Sequence, residues 1–271
     1  MYYVTRLRQE LIERNRRYAQ RHRLEVCENF GDPPVACYIP SADGRRHGNF
    51  LPQSYRSILS SPAWKKRLLK PHSPARNALP NNLRRWMELD SGNSSDALLM
   101  NIFCLPGILE LRAVCGLLSL DPSPDPPEFG FRARVPLSGG RADRTEVDMR
   151  IGTLLVEAKL TEPAFSSGKA EVVENYRDFD EVFDRASLLR DAAAYPSYQL
   201  IRNVLAAHAS QGAFCLLSDA RRPDLMEAWY AVVSAIRILD LRLRCRLVTW
   251  QEITTAVPAR LRSFLEEKYG F

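Results

Sequence analysis

In the segment TEVDMRIGTLLVEAKLTE, residues 145–162, Glu146, Asp148, Glu157 and Lys159 stand at spacings that strands would gather into one cluster. If Gly152-Thr153 forms a two-residue hairpin turn, Asp148 stands opposite Glu157 and Glu146 stands opposite Lys159. Glycine at the first turn position is what a type II′ turn requires. Directly opposed side chains have Cβ atoms ~4.5–5.5 Å apart. Alternation along each strand also sets Glu146 and Asp148 on one face, together with Glu157 and Lys159. A longer, bulged turn would shift the register without dispersing the cluster. Crowded carboxylates repel one another, and a hard divalent cation relieves that repulsion. Mg²⁺ takes oxygen ligands, commonly one or two carboxylates with waters and substrate phosphate oxygens. Such an ion neutralises charge developing at phosphorus, while a neighbouring lysine positions the attacking water or helps to deprotonate it. The chemistry expected here is Mg²⁺-dependent phosphodiester hydrolysis, with Mn²⁺ as a substitute ion.

Several elements must position that cluster. Leu154, Leu155 and Val156 make an apolar run leading into Glu157, the pattern of a central buried strand that ends in charge at one edge of the sheet. FGFRARVPL (129–137), TEVDMRI and TLLVEAKL read as three strands, and AFCLLSD (213–219) and CRLVTWQEI (245–253) as two more. Helices are expected over 197–209, 225–239 and 259–269, and 171–185 as a helix or an ordered excursion. The order predicts an α/β fold, a mixed central sheet flanked by helices. Ahead of it, 3–24 reads as a helix, 27–56 as irregular with an exposed GRRHGN turn, and 63–69 as a short basic helix. Residues 82–90 and 95–105 read as helices, the second capped by Ser94 or Ser95, and DPSPDPPE (121–128) as a proline-stiffened linker. The expected division is a basic helical and irregular region over 1–80 and an α/β domain over 81–271.

An acid, a hairpin and then Glu-x-Lys on the next strand resemble the PD-(D/E)XK nuclease superfamily, with Asp148, Glu157 and Lys159 in the motif positions. Val147 replaces the motif's proline, a common departure. The wider chain, including HGNFLPQSYRSILSSPAW, SSDALLMNIF and the hairpin, resembles restriction-endonuclease-like bacterial proteins. The core resemblance covers roughly residues 95–255. It implies a restriction-endonuclease-like core, DNA as the favoured nucleic acid, and metal held by Asp148, Glu157 and the Ala158 carbonyl. It also implies a glutamine on the helix after the hairpin, for which YQLIRN offers Gln199, with Arg202 and Asn203 on the same face as nucleic-acid contacts. Glu146 would tune Lys159 or join a second metal. A fourth acid often comes from the first core helix, where Asp96 and Glu88 are candidates. Each is more commonly an exposed helix charge.

Glu-x-Lys alone carries little information. Glu266-Glu267-Lys268 is a second copy, at helical spacing. The added acid, the glycine turn and the apolar run distinguish the first. Among 271 residues the net charge is +6, but 1–80 hold 15 basic against 6 acidic residues. A basic lobe beside a mildly acidic remainder suits a part that grips a phosphate backbone, or simply a soluble helical surface. Arg45, Arg46, Lys65 and Lys66 are the expected backbone contacts. Tyr38, Tyr55 and Trp64 lie among these cations and could stack on bases, though packing is the commoner use of such aromatics.

No apolar run reaches the ~18 residues of a membrane span, and the charged beginning lacks a signal peptide's apolar stretch. The six scattered cysteines form no Cys-x-x-Cys pair, which speaks against a zinc site and suits a reducing cytoplasm. The histidines at 22, 47, 72 and 208 show no ligand spacing and are expected on the surface. The reading is therefore a cytoplasmic DNA endonuclease of restriction, defence or repair type, with a homodimer allowed for. The alternative is a nucleic-acid-binding or regulatory defence protein with a nuclease-like fold, inactive alone.

Overall fold

The computed structural model describes residues 2–29, 33–71, 86–123 and 125–271. Two compact units form, one from Met1–Pro126 with Trp250–Phe271 and the other from Pro127–Thr249. The unit with the five-stranded sheet runs from Pro127 to Thr249, and the expected boundary at 80/81 lies outside the described residues.

The second unit is built on strands β1 (Glu128–Arg132), β2 (Glu146–Ile151), β3 (Leu154–Ala158), β4 (Ala213–Ser218) and β5 (Cys245–Thr249), ordered β5-β4-β3-β2-β1. β1, β2 and β3 pair antiparallel, whereas β4 runs parallel to both β3 and β5. The sheet is therefore mixed and flanked by helices, as expected. The parallel step from β3 to β4 needs a crossover, and the helix α1 (Tyr198–Ala209) supplies its last leg. Helix α2 (Pro223–Ser234) follows β4, opening on a proline that costs no hydrogen bond at a helix start.

Met149 pairs with Val156 and Ile151 with Leu154, the register of a two-residue turn at Gly152-Thr153. Gly152 takes φ +54°, the sign that turn type places at its first central residue. All five residues of β3 are buried. Leu155, Phe214 and Leu216 pack with Leu200 and Val204 of α1 and with Leu225 and Trp229 of α2 in one apolar core. Truncating one of these to alanine would cost about 2–5 kcal/mol. At Gly212, between α1 and β4, a Cβ would lie 2.2 Å from the Thr153 carbonyl oxygen. Only glycine lets that loop close onto the hairpin.

Four elements differ from the sequence reading, the first being the helix expected over 82–90, of which 82–85 lie outside the described residues and only the 3-10 turn Glu88–Asp90 forms in the rest. The strand expected over 245–253 stops at Thr249, and Trp250–Ala256 is helical, because Trp250, Ile253 and Thr254 recur at the spacing that buries one helix face. The helix expected over 225–239 ends at Ser234, with a separate short turn of helix at Leu239–Leu243. The strand expected over 129–137 breaks after Arg132, and Val135–Pro136 pairs instead with Ala142–Asp143.

In the first unit the helix Tyr2–Arg21 packs against Ala259–Tyr269. The stretch 27–56 is more regular than its composition suggests. Val26–Glu28 and Ala36–Tyr38 form a hairpin, and a helix starts at Pro52. The helix Ser95–Phe103 is capped by Ser94 and buried at every position. Tyr38 and Tyr55 are buried packing aromatics rather than platforms for bases, and Tyr55 stacks on Phe50. His47 is buried too, its Nε2 2.9 Å from Asp90 Oδ1, contrary to the surface expectation. His22 is exposed, His208 is half-buried, and His72 lies outside the described residues. The six cysteines are free thiols. Among the described residues no helix is long and apolar enough to cross a membrane.

Candidate active site

Leu155 and Glu157 share one face of β3, so the strand carries its glutamate out of the apolar core beneath α1. Glu157 is only 1% exposed. A carboxylate that deep needs partners, and it has three. Lys159 Nζ lies 2.9 Å from Oε1, Gln199 Nε2 donates to the same oxygen, and Asn203 Nδ2 donates to Oε2 at 3.0 Å. Gln199 and Asn203 stand four residues apart on α1, one above the other on a single helix face. Asn203 is itself oriented by Arg202, whose Nη2 donates to Asn203 Oδ1 at 2.7 Å and to the Glu146 carbonyl at 3.2 Å.

Asp148 arrives from β2. The backbone ladder between β2 and β3 ends at Met149 and Val156, and one step further Asp148 Oδ2 accepts the Ala158 amide at 2.8 Å. The side chain takes over where the strands part, which keeps Asp148 beside the strand end that bears Glu157. On the other side the Lys159 amide donates to the Leu217 carbonyl at 2.8 Å, tying the Lys159 backbone to β4.

Lys159 is buried, with its ammonium 5.7 Å from the Phe165 ring centre. Burial alone would lower its pKa. Glu157, with Asp148 and Glu162 behind it, outweighs that effect and holds the ammonium above the ordinary lysine value.

The structure thus brings together Asp148, Glu157, Lys159, Gln199 and Asn203, and Glu146 through its backbone carbonyl. Arg202 and Asn203, expected as nucleic-acid contacts, are turned inward. They are 3% and 0% exposed and face the site's own carboxylate and β2. Arg45, Arg46, Lys65 and Lys66 are exposed in the first unit. Asp96 belongs to that unit as well, where Arg67 and Lys70 pair with it at 2.8 and 3.1 Å, and Lys70 also pairs with Glu88.

Among the described residues no group of three or more His, Cys, Asp and Glu side chains lies within reach of one metal ion. The oxygen donors that the structure gathers at the site are the Asp148 and Glu157 carboxylates. That set is hard, small and singly negative once Lys159 is counted. It fits Mg²⁺, which keeps most of its waters, better than a metal that needs a full protein cage.

Residues 26–270 match the family described as Restriction Endonuclease associating with ARP. The chain belongs to this family. No curated protein and no solved structure matches it. A restriction-endonuclease family supports a nuclease-type function, with nucleic acid as the partner.

One buried residue beside the site was invisible in the sequence. Arg222 is fully buried, although in SDARRPDL it reads as a loop charge ahead of a helix. Its spacing to Asp224 signals an ion pair but not burial, because the carbonyls that enclose it lie some sixty positions away.

Proposed function

We propose that the chain is a metal-dependent nuclease of the PD-(D/E)XK type, cleaving phosphodiester bonds in DNA at the Asp148–Glu157–Lys159 site. The observation that carries this reading is the fixing of Glu157. A carboxylate gripped by Lys159, Gln199 and Asn203 on the floor of a strand end is held for a purpose its own stability does not require, since an apolar residue would bury there at less cost. Asp148, Glu157 and the Ala158 carbonyl would hold Mg²⁺ or Mn²⁺. Bound there, the ion would polarise a phosphoryl oxygen and stabilise charge developing on it. Lys159, an ammonium in this setting, donates to the attacking water or to a phosphate oxygen. Gln199 and Asn203 keep both oxygens of Glu157 oriented, and Arg202 keeps Asn203 from turning.

The test is cleavage of duplex DNA by the purified chain with and without Mg²⁺. Asp148→Asn and Glu157→Gln should each remove metal-dependent cleavage and leave the fold intact, because each keeps the side chain's shape. Undiminished cleavage by both variants would sink the site. The family's description, an endonuclease associating with ARP, favours a second reading in which the chain cuts only within an assembly. Absence of cleavage by the chain alone, followed by cleavage when ARP is added, would select it.

A further inference from the structure

Beneath the site, a single buried guanidinium holds the chain that leaves it. Arg222, in the turn that follows β4, is 0% exposed. A guanidinium has five N–H donors in a rigid plane, and acceptors surround all of its nitrogens. Nη1 donates to the carbonyls of Leu160 and Glu162 at 3.1 and 2.8 Å. Nη2 donates to the Pro163 carbonyl and to Asp224 Oδ2, both at 2.8 Å. Nε donates to Asp224 Oδ1 at 2.9 Å. Three of these acceptors are carbonyls of one short segment, Leu160 to Pro163, and that segment begins directly after Lys159.

We propose that Arg222 is a positioning residue for the site: by clamping Leu160–Pro163 it fixes the backbone exit of Lys159 and seats Phe165 against the Lys159 ammonium. This rests on the nuclease reading for its effect on turnover, but not for the clamp. Within the clamped turn the Leu160 amide donates to Glu162 Oε2 at 2.6 Å, and just ahead of it the Lys159 amide is anchored to β4. Asp224 holds the guanidinium in plane from α2, so the clamp joins the start of that helix to the end of β3. A lysine in place of Arg222 would keep the charge but lose the fork, and could not reach three diverging carbonyls at once.

The experiment compares wild type, Arg222→Lys and the milder Asp224→Asn by backbone hydrogen exchange and by DNA cleavage. Exchange over residues 159–165 should rise by about tenfold or more in Arg222→Lys, and by less in Asp224→Asn, while β2 keeps its protection. Turnover should fall by up to about 10²-fold with DNA affinity retained, since a displaced group costs rate rather than binding. Unchanged exchange over 159–165 in both variants would overturn the clamp. Raised exchange with undiminished turnover would overturn its role in positioning. If Arg222→Lys fails to fold, Asp224→Asn alone decides both points by the same readouts. If wild type does not cleave under any condition, the nuclease reading fails, and the exchange data still decide the clamp.

Discussion

Glu157-Ala158-Lys159 and Glu266-Glu267-Lys268 share one pattern, and each ends in a buried lysine, yet the two lysines live in opposite environments. At the end of β3, alternation sends Glu157 and Lys159, one residue past the strand, to the same face, and they meet at 2.9 Å. On the helix Ala259–Tyr269, residues two apart point to nearly opposite sides. Glu266 is exposed, and Lys268 turns inward alone. Its Nζ donates to the Asn49 carbonyl at 3.1 Å and to Asn49 Oδ1, and sits 4.2 Å from the Tyr38 ring centre, with Tyr18, Phe264 and Tyr269 around it. Carboxylates hold Lys159 above the ordinary lysine pKa, whereas burial pulls Lys268 well below it. A motif becomes a site only where the element's period lets its charges converge.

The largest effect should separate the two lysines by activity. Lys159→Met should lower DNA turnover by about 10²–10³-fold, the usual loss when a donor aimed at the reacting group is removed. Lys268→Met should leave turnover per folded molecule unchanged. Single-turnover cleavage, corrected for the folded fraction, makes the comparison, and equal losses would erase the distinction drawn between the two copies.

A smaller effect should separate them by pH. Lys159, with its folded pKa raised, contributes stability that is fully present below the unfolded value of roughly 10.4 and lost as pH rises through the folded value. Lys268 has the opposite sign. Between its lowered folded value and roughly 10.4 the unfolded chain binds a proton that the folded chain does not, so stability rises with pH there. Each unit of lowering is worth about 1.4 kcal/mol over that window. Urea unfolding at about pH 7 and pH 9.5 should therefore show wild type gaining on Lys268→Met as pH rises. The gap between wild type and Lys159→Met should stay constant over that range. A flat Lys268 difference would mean that the four rings and Asn49 offset its burial.

The smallest effect concerns cations that are not buried at all. Replacing Arg45, Arg46, Lys65 and Lys66 with alanine should change stability by no more than about 0.5 kcal/mol for each substitution, as exposed changes do. If these side chains touch DNA phosphates, the log–log salt dependence of binding should flatten by about 0.9 for each phosphate that is no longer neutralised. The metal requirement of cleavage should stay the same. Fluorescence anisotropy titrations against one duplex measure the slope, and identical slopes would remove these four from the interface.

Local rules were enough to read the hairpin from the sequence. Gly152 permits one turn, the turn sets the register, and alternation along short strands does the rest, so Asp148, Glu157 and Lys159 could be placed together. The five strands and α1 were legible for the same reason: their signals are periods and turn residues close in sequence. Tertiary structure decided what depends on distant partners. Arg202 and Asn203 read as a helix face open to nucleic acid, and packing of α1 over β3 turned them onto Glu157 and β2. His47 became an inward residue because Asp90 waits for it forty-three positions on. Arg222 and Lys268 carry no sequence signal of burial and are fully buried, since distant backbone carbonyls hold Arg222 together with its neighbour Asp224, and Asn49 and aromatic rings surround Lys268.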